Sequence, residues 1–182
     1  FRNLVSLKKV NGGTGSALNM GHSIAQGKYI TWCSADNIYF PEFIKTFVEG
    51  FKRIEAENAP VELLYSDFCY ITETGQRIKD IKHQKPQTGV DLIAGYDIGM
   101  SFMYTKKLWE RTGGYWNRIC EDFHWCVRAA QHTNFGLVTA VLAAFRVHGN
   151  QITGSNKEEE KSAADDCKDL ARALFGAQEV SK

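Results

Sequence analysis

Residues 28–51, KYITWCSADNIYFPEFIKTFVEGF, place a strand, an acidic turn and a helix in succession. The run 28–33 is rich in aromatic and β-branched residues, which predicts a strand buried in a sheet. Pro41 suits the first turn of a helix, and Phe43, Phe47, Phe51 and Ile54 recur on one helical stripe, so a helix follows and ends near Ala59-Pro60. Between strand and helix stand Asp36 and Asn37. An Asx turn leading into the helix is the local explanation for an acid at a core strand's end.

The alternation repeats on either side. Residues 4–10 read as a strand, Gly12, Gly13 and Gly15 as a loop, and Ala17, Met20, Gly21 and Ile24 as a helical stripe. Residues 61–71 are β-formers that continue through the turn signal 72–75 into 76–81, a hairpin that makes the sheet mixed. A loop over 82–97 is long enough to be functional or mobile. A strand over 99–105, helices over 106–111 and from 121 to about 131, and a last strand over 135–145 follow; Phe123, Val127 and Ala130 share a helix face. From Asn156 onward, Ala163, Cys167, Leu170, Ala173 and Leu174 lie at helical spacing under a charged face, which predicts a capping helix over 156–182. The fold class is therefore α/β, an open mixed sheet flanked by helices, with ligands expected beyond the carboxyl ends of the strands.

At 182 residues the chain suits one domain, which buries roughly two-thirds of its unfolded surface. Lys plus Arg number 22 against 21 for Asp plus Glu, a net charge of +1 that argues against a nucleic-acid partner. The five cysteines show no paired spacing, and their odd count favours a reducing compartment over a disulfide framework. No apolar run approaches the ~20 residues of a membrane span, and residues 1–10 lack the features of a signal peptide, so a soluble cytoplasmic protein is expected. Cys120, His124, Cys126 and His132 do not predict zinc, because on a helix His124 and Cys126 point about 200° apart.

Several short stretches, in order, resemble one family: N11-x-G13-x-x-x-A17-x-N19-x-G21; A25-x-G27-K28-Y29-I30 leading to S34-A35-D36-N37 and P41; Y65-S66-D67 with G75; G113-G114-Y115, then E121-D122 and R128; and F145-R146-x-H148 with T153. Over residues 3–155 this order and spacing is similar to family 2 of the glycosyltransferases, inverting enzymes of the GT-A, Rossmann-like fold. The resemblance implies transfer of a sugar from a nucleotide-diphosphate sugar to a glycan or other hydroxyl acceptor, in glycan or polysaccharide synthesis, with Mn2+ or Mg2+ bridging the diphosphate. Negative charge then grows on phosphate oxygens, and a metal or fixed cations must stabilise it.

By the same resemblance, Asp36 matches the last carboxylate of the family's Asp-x-Asp motif and is the metal ligand, with Ser34 at the motif's first position and Ala35 between them on the donor side. Asp122 matches the catalytic base, with Glu121 beside it in the catalytic pair. A helix N-terminus favours the ionised form of such an acid, and a like-charged neighbour opposes it. Trp125, one turn beyond Asp122, is an acceptor-stacking candidate or a core residue. Arg146 and His148, two apart on an extended segment, aim to one side and suit a diphosphate and its metal, His148 as a metal ligand or donor contact. Asn11, Gly13 and Asn19 match the donor-side motif, with Leu18 where the family usually has Arg; Asp67 matches a family position with a structural strand-end role leading.

The family's opening strand, first helix and second-strand acid have no counterpart before Phe1, so the sheet is expected to lack its usual first strands. Two rival readings follow: a noncatalytic sugar- or nucleotide-binding fragment, and an inactive remnant forming a homo-oligomer through its bare sheet edge.

Overall fold

The computed structural model describes residues 4–149, 151, 154 and 156–178. Its elements are α1 (Gly13–Ile24), β1 (Tyr29–Ile30), β2 (Ile38–Tyr39), α2 (Phe43–Ala56), β3 (Val61–Ile71), β4 (Arg77–Ile81), α3 (Asp91–Ala94), β5 (Phe102–Thr105), α4 (Lys106–Thr112), α5 (Glu121–Ala129), β6 (Asn134–Arg146) and α6 (Lys157–Phe175), closed by a 3-10 turn at Gly176–Gln178. One sheet holds the strands in the order β1-β5-β3-β6-β2, with β4 also on β3. β3 and β6 run parallel; every other pairing is antiparallel, so the sheet is mixed as the hairpin predicted.

β3 changes partners along its length. Leu63 to Tyr65 face β5 and Phe68 to Ile71 face β4, while β6 stays alongside with a register shift between Ser66 and Phe68. Alternate β3 side chains feed different cores. Leu63 and Tyr65 join Trp125, Tyr104 and Val127 under α4, α5 and α6, whereas Leu64 joins Phe43, Phe47, Phe51 and Met103 beneath α2. The α2 stripe is the one predicted, with Ile54 packed at its margin.

Four local expectations change. Residues 4–10 form no strand; Val10 is 89% exposed, and no described strand pairs with this segment, so its apolar alternation has nothing to pack on. The strand predicted over 28–33 shortens to β1, because after Ile30 the chain leaves β5, and Cys33 is exposed. α1 begins within the glycine cluster and turns Ala17, Gly21 and Ile24 outward, burying Gly15 and His22 instead. On α6 the buried stripe is Ala163, Cys167, Ala171 and Phe175, so Ala173 and Leu174 face water. α6 packs against α3 and α5.

Sheet edges give no support to an edge-paired oligomer. β1 and β2 have two residues each, and β4 shows solvent Arg77, Lys79 and Asp80, a charged edge that discourages pairing.

Candidate functional site

The turn that follows the first strand is anchored from both sides. Thr31 donates its hydroxyl to the Phe102 carbonyl at 2.7 Å, holding the arm's start to β5. At the other end, antiparallel pairing of Ile38 with Ala144 brings Asp36 and Asn37 alongside the end of β6. There the Arg146 backbone N–H donates to Asn37 Oδ1 at 3.0 Å, and Arg146 Nε donates to the Asp36 carbonyl at 2.8 Å. His148 Nε2 lies 3.1 Å from Asp36 Oδ2, with the carboxylate side chain 39% exposed. Asp36, Asn37, Arg146 and His148 thus form one cluster, drawn from segments more than a hundred positions apart.

Arg146 also makes contacts with the backbone of the hairpin turn. Its Nη1 donates to the Glu73 and Thr72 carbonyls at 2.7 and 3.3 Å, so Nε and Nη1 bind backbone oxygens and the side chain ties the hairpin turn to the acidic arm. Ser34 contributes its carbonyl to a turn, accepting from Asn37 N–H at 3.4 Å, and Ala35 is exposed.

The second acidic pair opens α5. Cys120, just before it, adopts φ +62° in the left-handed region, which costs a side-chain-bearing residue on the order of 1 kcal/mol and reverses the chain into the helix. The Phe123 backbone N–H donates to Asp122 Oδ1 at 2.8 Å. Loss of water around Asp122 raises its pKa, opposed by that bond, its own N–H and the nearby Tyr96 hydroxyl. Burial, with the neighbouring Asp122 charge, pushes Glu121 up to about 7. The helix terminus was expected to favour ionisation; desolvation outweighs it.

Trp125 is fully buried, donates its indole N–H to the Gly113 carbonyl at 2.9 Å and stacks on Tyr115 at 5.5 Å, so of its two readings the core one holds and acceptor stacking is excluded in this arrangement. Arg128 donates to the Thr112 carbonyl at 2.9 Å and to the Gly114 carbonyl, fastening the diglycine loop to α5. The His124 ring lies flat on Trp116, centroids 4.0 Å apart, and burial with nearby Arg128 and Arg118 lowers it to about 4.

On the donor-side motif, Asn11 Oδ1 accepts from Gly13 N–H at 3.1 Å, and Gly13 sits at φ +81°, where a side chain would be strained. A Cβ on Gly15 would come within 1.9 Å of the Trp116 carbonyl oxygen, which explains how α1 approaches the 115–117 loop so closely. Asn19 faces Tyr115 rather than an open pocket: Oδ1 accepts from Tyr115 N–H at 2.7 Å and Nδ2 donates to its carbonyl at 2.9 Å. Leu18 packs at the margin of the larger core. Asp67 is buried within β3 and accepts from the His83 backbone N–H at 2.9 Å, a structural placement. Thr153 lies outside the described residues.

Tyr96, from the predicted loop, is a neighbour that the sequence reading did not single out. Tyr96 stacks on Phe123 at 5.4 Å and also lines a shallow cleft with Gln87, Asp91 and Asp97. A larger cleft, lined by Lys28, Glu55, Glu62 and Lys106 among others, lies where β3 begins, away from the Asp36 end. Asp36 and Asp122 line neither. Among the described residues no group of three or more His, Cys, Asp and Glu side chains is placed to hold a metal ion. Asp36 and His148 offer two adjacent donors, an oxygen and a nitrogen, which fits a cation whose remaining ligands are phosphate and water.

Comparison with known proteins gives the class. Residues 2–112 match the sequence model of glycosyl transferase family 2. The chain is 36% identical, over 165 residues, to an uncharacterized glycosyltransferase of Rickettsia typhi, covering 85% of this chain and 51% of that protein. An uncharacterized glycosyltransferase of Rickettsia conorii is 36% identical over 74 residues, 41% of this chain and 12% of its own length. This chain thus spans about half, or less, of the curated relatives it matches. Among solved structures, S. aureus TarS 1–349 in complex with UDP-GlcNAc superposes with a TM-score of 0.63 at 14% identity, over 82% of this chain and 43% of that one. The fold is that of GT-A glycosyltransferases. The chain belongs to glycosyl transferase family 2. No helix among the described residues is long and apolar enough to cross a membrane.

Proposed function

We propose that this domain transfers a sugar from a nucleotide-diphosphate sugar to an acceptor hydroxyl with inversion, in glycan or polysaccharide synthesis. The observation that carries this reading is the pairing of Asp36 Oδ2 with His148 Nε2 at 3.1 Å at the strand end of a family 2 chain. Asp36 and His148 would hold Mn2+ or Mg2+; when bound, the ion supplies positive charge to the departing diphosphate. Asp122 accepts the acceptor's proton as that oxygen bonds to the anomeric carbon from the face opposite the leaving group. The carbon–oxygen bond to the diphosphate breaks as its electron pair leaves with the nucleoside diphosphate. A carboxylate whose proton affinity is raised by burial suits a base of this kind, and Glu121 beside it keeps a second proton-exchanging group near neutrality. UDP-GlcNAc is TarS's bound ligand, and a nucleotide sugar of this class is the donor proposed here. The five cysteines are free thiols, which supports a reducing, cytoplasmic setting.

A noncatalytic sugar- or nucleotide-binding module has specific support: Asn19 and Arg146 bind backbone groups, and Leu18 brings no cation. Calorimetry with Mn2+ and a panel of nucleotide sugars tests both readings. Sugar transfer predicts metal-dependent binding lost in Asp36→Ala, and product formation that falls about a thousandfold in Asp122→Asn while binding persists. Binding without turnover in the unaltered chain favours the module. No binding at all overturns both.

A further inference from the structure

We propose that Tyr115 is a positioning residue that holds the Asp36 arm and the Glu121-Asp122 turn in fixed relation, an inference that rests on the sugar-transfer reading for its functional meaning. The three stretches that carry the site, around 11–21, 31–37 and 113–128, meet at this one buried residue. Asn19 of α1 clasps its backbone at both N–H and carbonyl, at 2.7 and 2.9 Å. The Trp32 indole, four residues before Asp36, lies 3.2 Å from its hydroxyl. The diglycine loop immediately before it is fastened to α5 by Trp125 and Arg128, so Tyr115 moves with the helix that begins at the acidic pair.

The hydroxyl belongs to a chain with a single proton direction. The Leu18 carbonyl can only accept, so His22 Nδ1, 2.6 Å away, carries the proton and His22 Nε2 accepts from Tyr104 at 2.5 Å. Tyr104 then accepts from Tyr115 at 2.6 Å, which leaves the Tyr115 oxygen to accept from Trp32, a donor only. Each group makes the bond its chemistry permits, and burial keeps His22 neutral by lowering its pKa. Fully satisfied buried networks of this kind fix geometry. The arm from Thr31 to Asn37 is therefore held near both ends, by Thr31 and Trp32 at its start and by Arg146 at its finish.

Tyr115→Phe keeps the ring and removes the hydroxyl. Amide hydrogen exchange should accelerate roughly tenfold over 31–37 and 113–120, while the paired strands at 63–71 and 142–146 keep their protection. Trp32→Phe should reproduce the change over 31–37, and the double variant should exchange there no faster than the faster single one, because both remove the Trp32–Tyr115 bond while Tyr115→Phe also loses its bond to Tyr104. In a chain that transfers sugar, each single variant should lower kcat/KM roughly tenfold to a hundredfold, again without additivity. Unchanged exchange over 31–37, additive effects, or loss of protection throughout the sheet would each overturn the positioning role. A chain that binds no nucleotide sugar would overturn the sugar-transfer reading alone, and the exchange data would still decide the mechanical coupling.

Discussion

The two acidic sites differ in their relation to water. Asp36 is 39% exposed on the side chain and shares a hydrogen bond with an imidazole, whereas Glu121 and Asp122, also half-buried, sit beside a core of Trp125, Phe123 and Tyr96 where desolvation raises both their pKa values. A solvated carboxylate beside a nitrogen ligand is equipped to take a hydrated cation, while a desolvated one is equipped to exchange a proton near neutrality. One fold thus gives its carboxylates two different environments, through desolvation and neighbouring charge.

The most disruptive way to break this contrast is to open the core beneath α5. Trp125→Ala should cost about 3–5 kcal/mol in urea denaturation, and the water admitted should return Glu121 toward an ordinary carboxylate pKa in an NMR titration. A smaller change removes the acid itself. Because Glu121 is raised in the folded state from 4.5 to about 7, its favourable contribution is complete below pH 4.5 and is lost as pH rises through 7. Glu121→Gln should therefore be more stable than the unaltered chain at pH 8, by up to about 3 kcal/mol, with the two curves meeting below pH 4.5.

His124 runs the other way. Its folded-state pKa is lowered from 6.5 to about 4, so stability is full above pH 6.5 and declines as pH falls toward 4. Between pH 4.5 and 6.5 the Glu121 and His124 slopes oppose each other, and His124→Phe should expose the Glu121 slope as stability that rises on acidification. At the exposed site the stability effect is smallest: Asp36→Asn should change unfolding free energy by less than about 1 kcal/mol. Its cost should appear in Mn2+-dependent nucleotide-sugar binding, read by calorimetry, which separates this acid from the buried pair.

Much of this arrangement was legible in the sequence where a local rule applies. Pro41 and the Phe43, Phe47, Phe51 stripe gave α2, and Gly75 gave the turn of the β3–β4 hairpin with its φ of +90°. Spacing also put Arg146 and His148 on one side, and both reach Asp36. What stayed hidden depends on partners distant in sequence. Residues 4–10 alternate like a strand, yet a strand exists only where another pairs with it. The inward face of α1 is polar, His22 and Asn19, and hydropathy spacing cannot mark a face stabilised by hydrogen bonds. Trp125 looks alike in sequence whether it meets a sugar or a core, and only the packing of Tyr104 and Tyr115 decides.

Alternate side chains of β3 supply two oily compartments that meet only across the sheet, one roofed by α2 and one by α5 and α6. The α2 compartment holds none of the acids, so an inherited change such as Phe47→Leu can be absorbed there without disturbing the chemistry. Divergence between related chains should accordingly accumulate beneath α2 sooner than beneath α5, the helix that opens with the acidic pair.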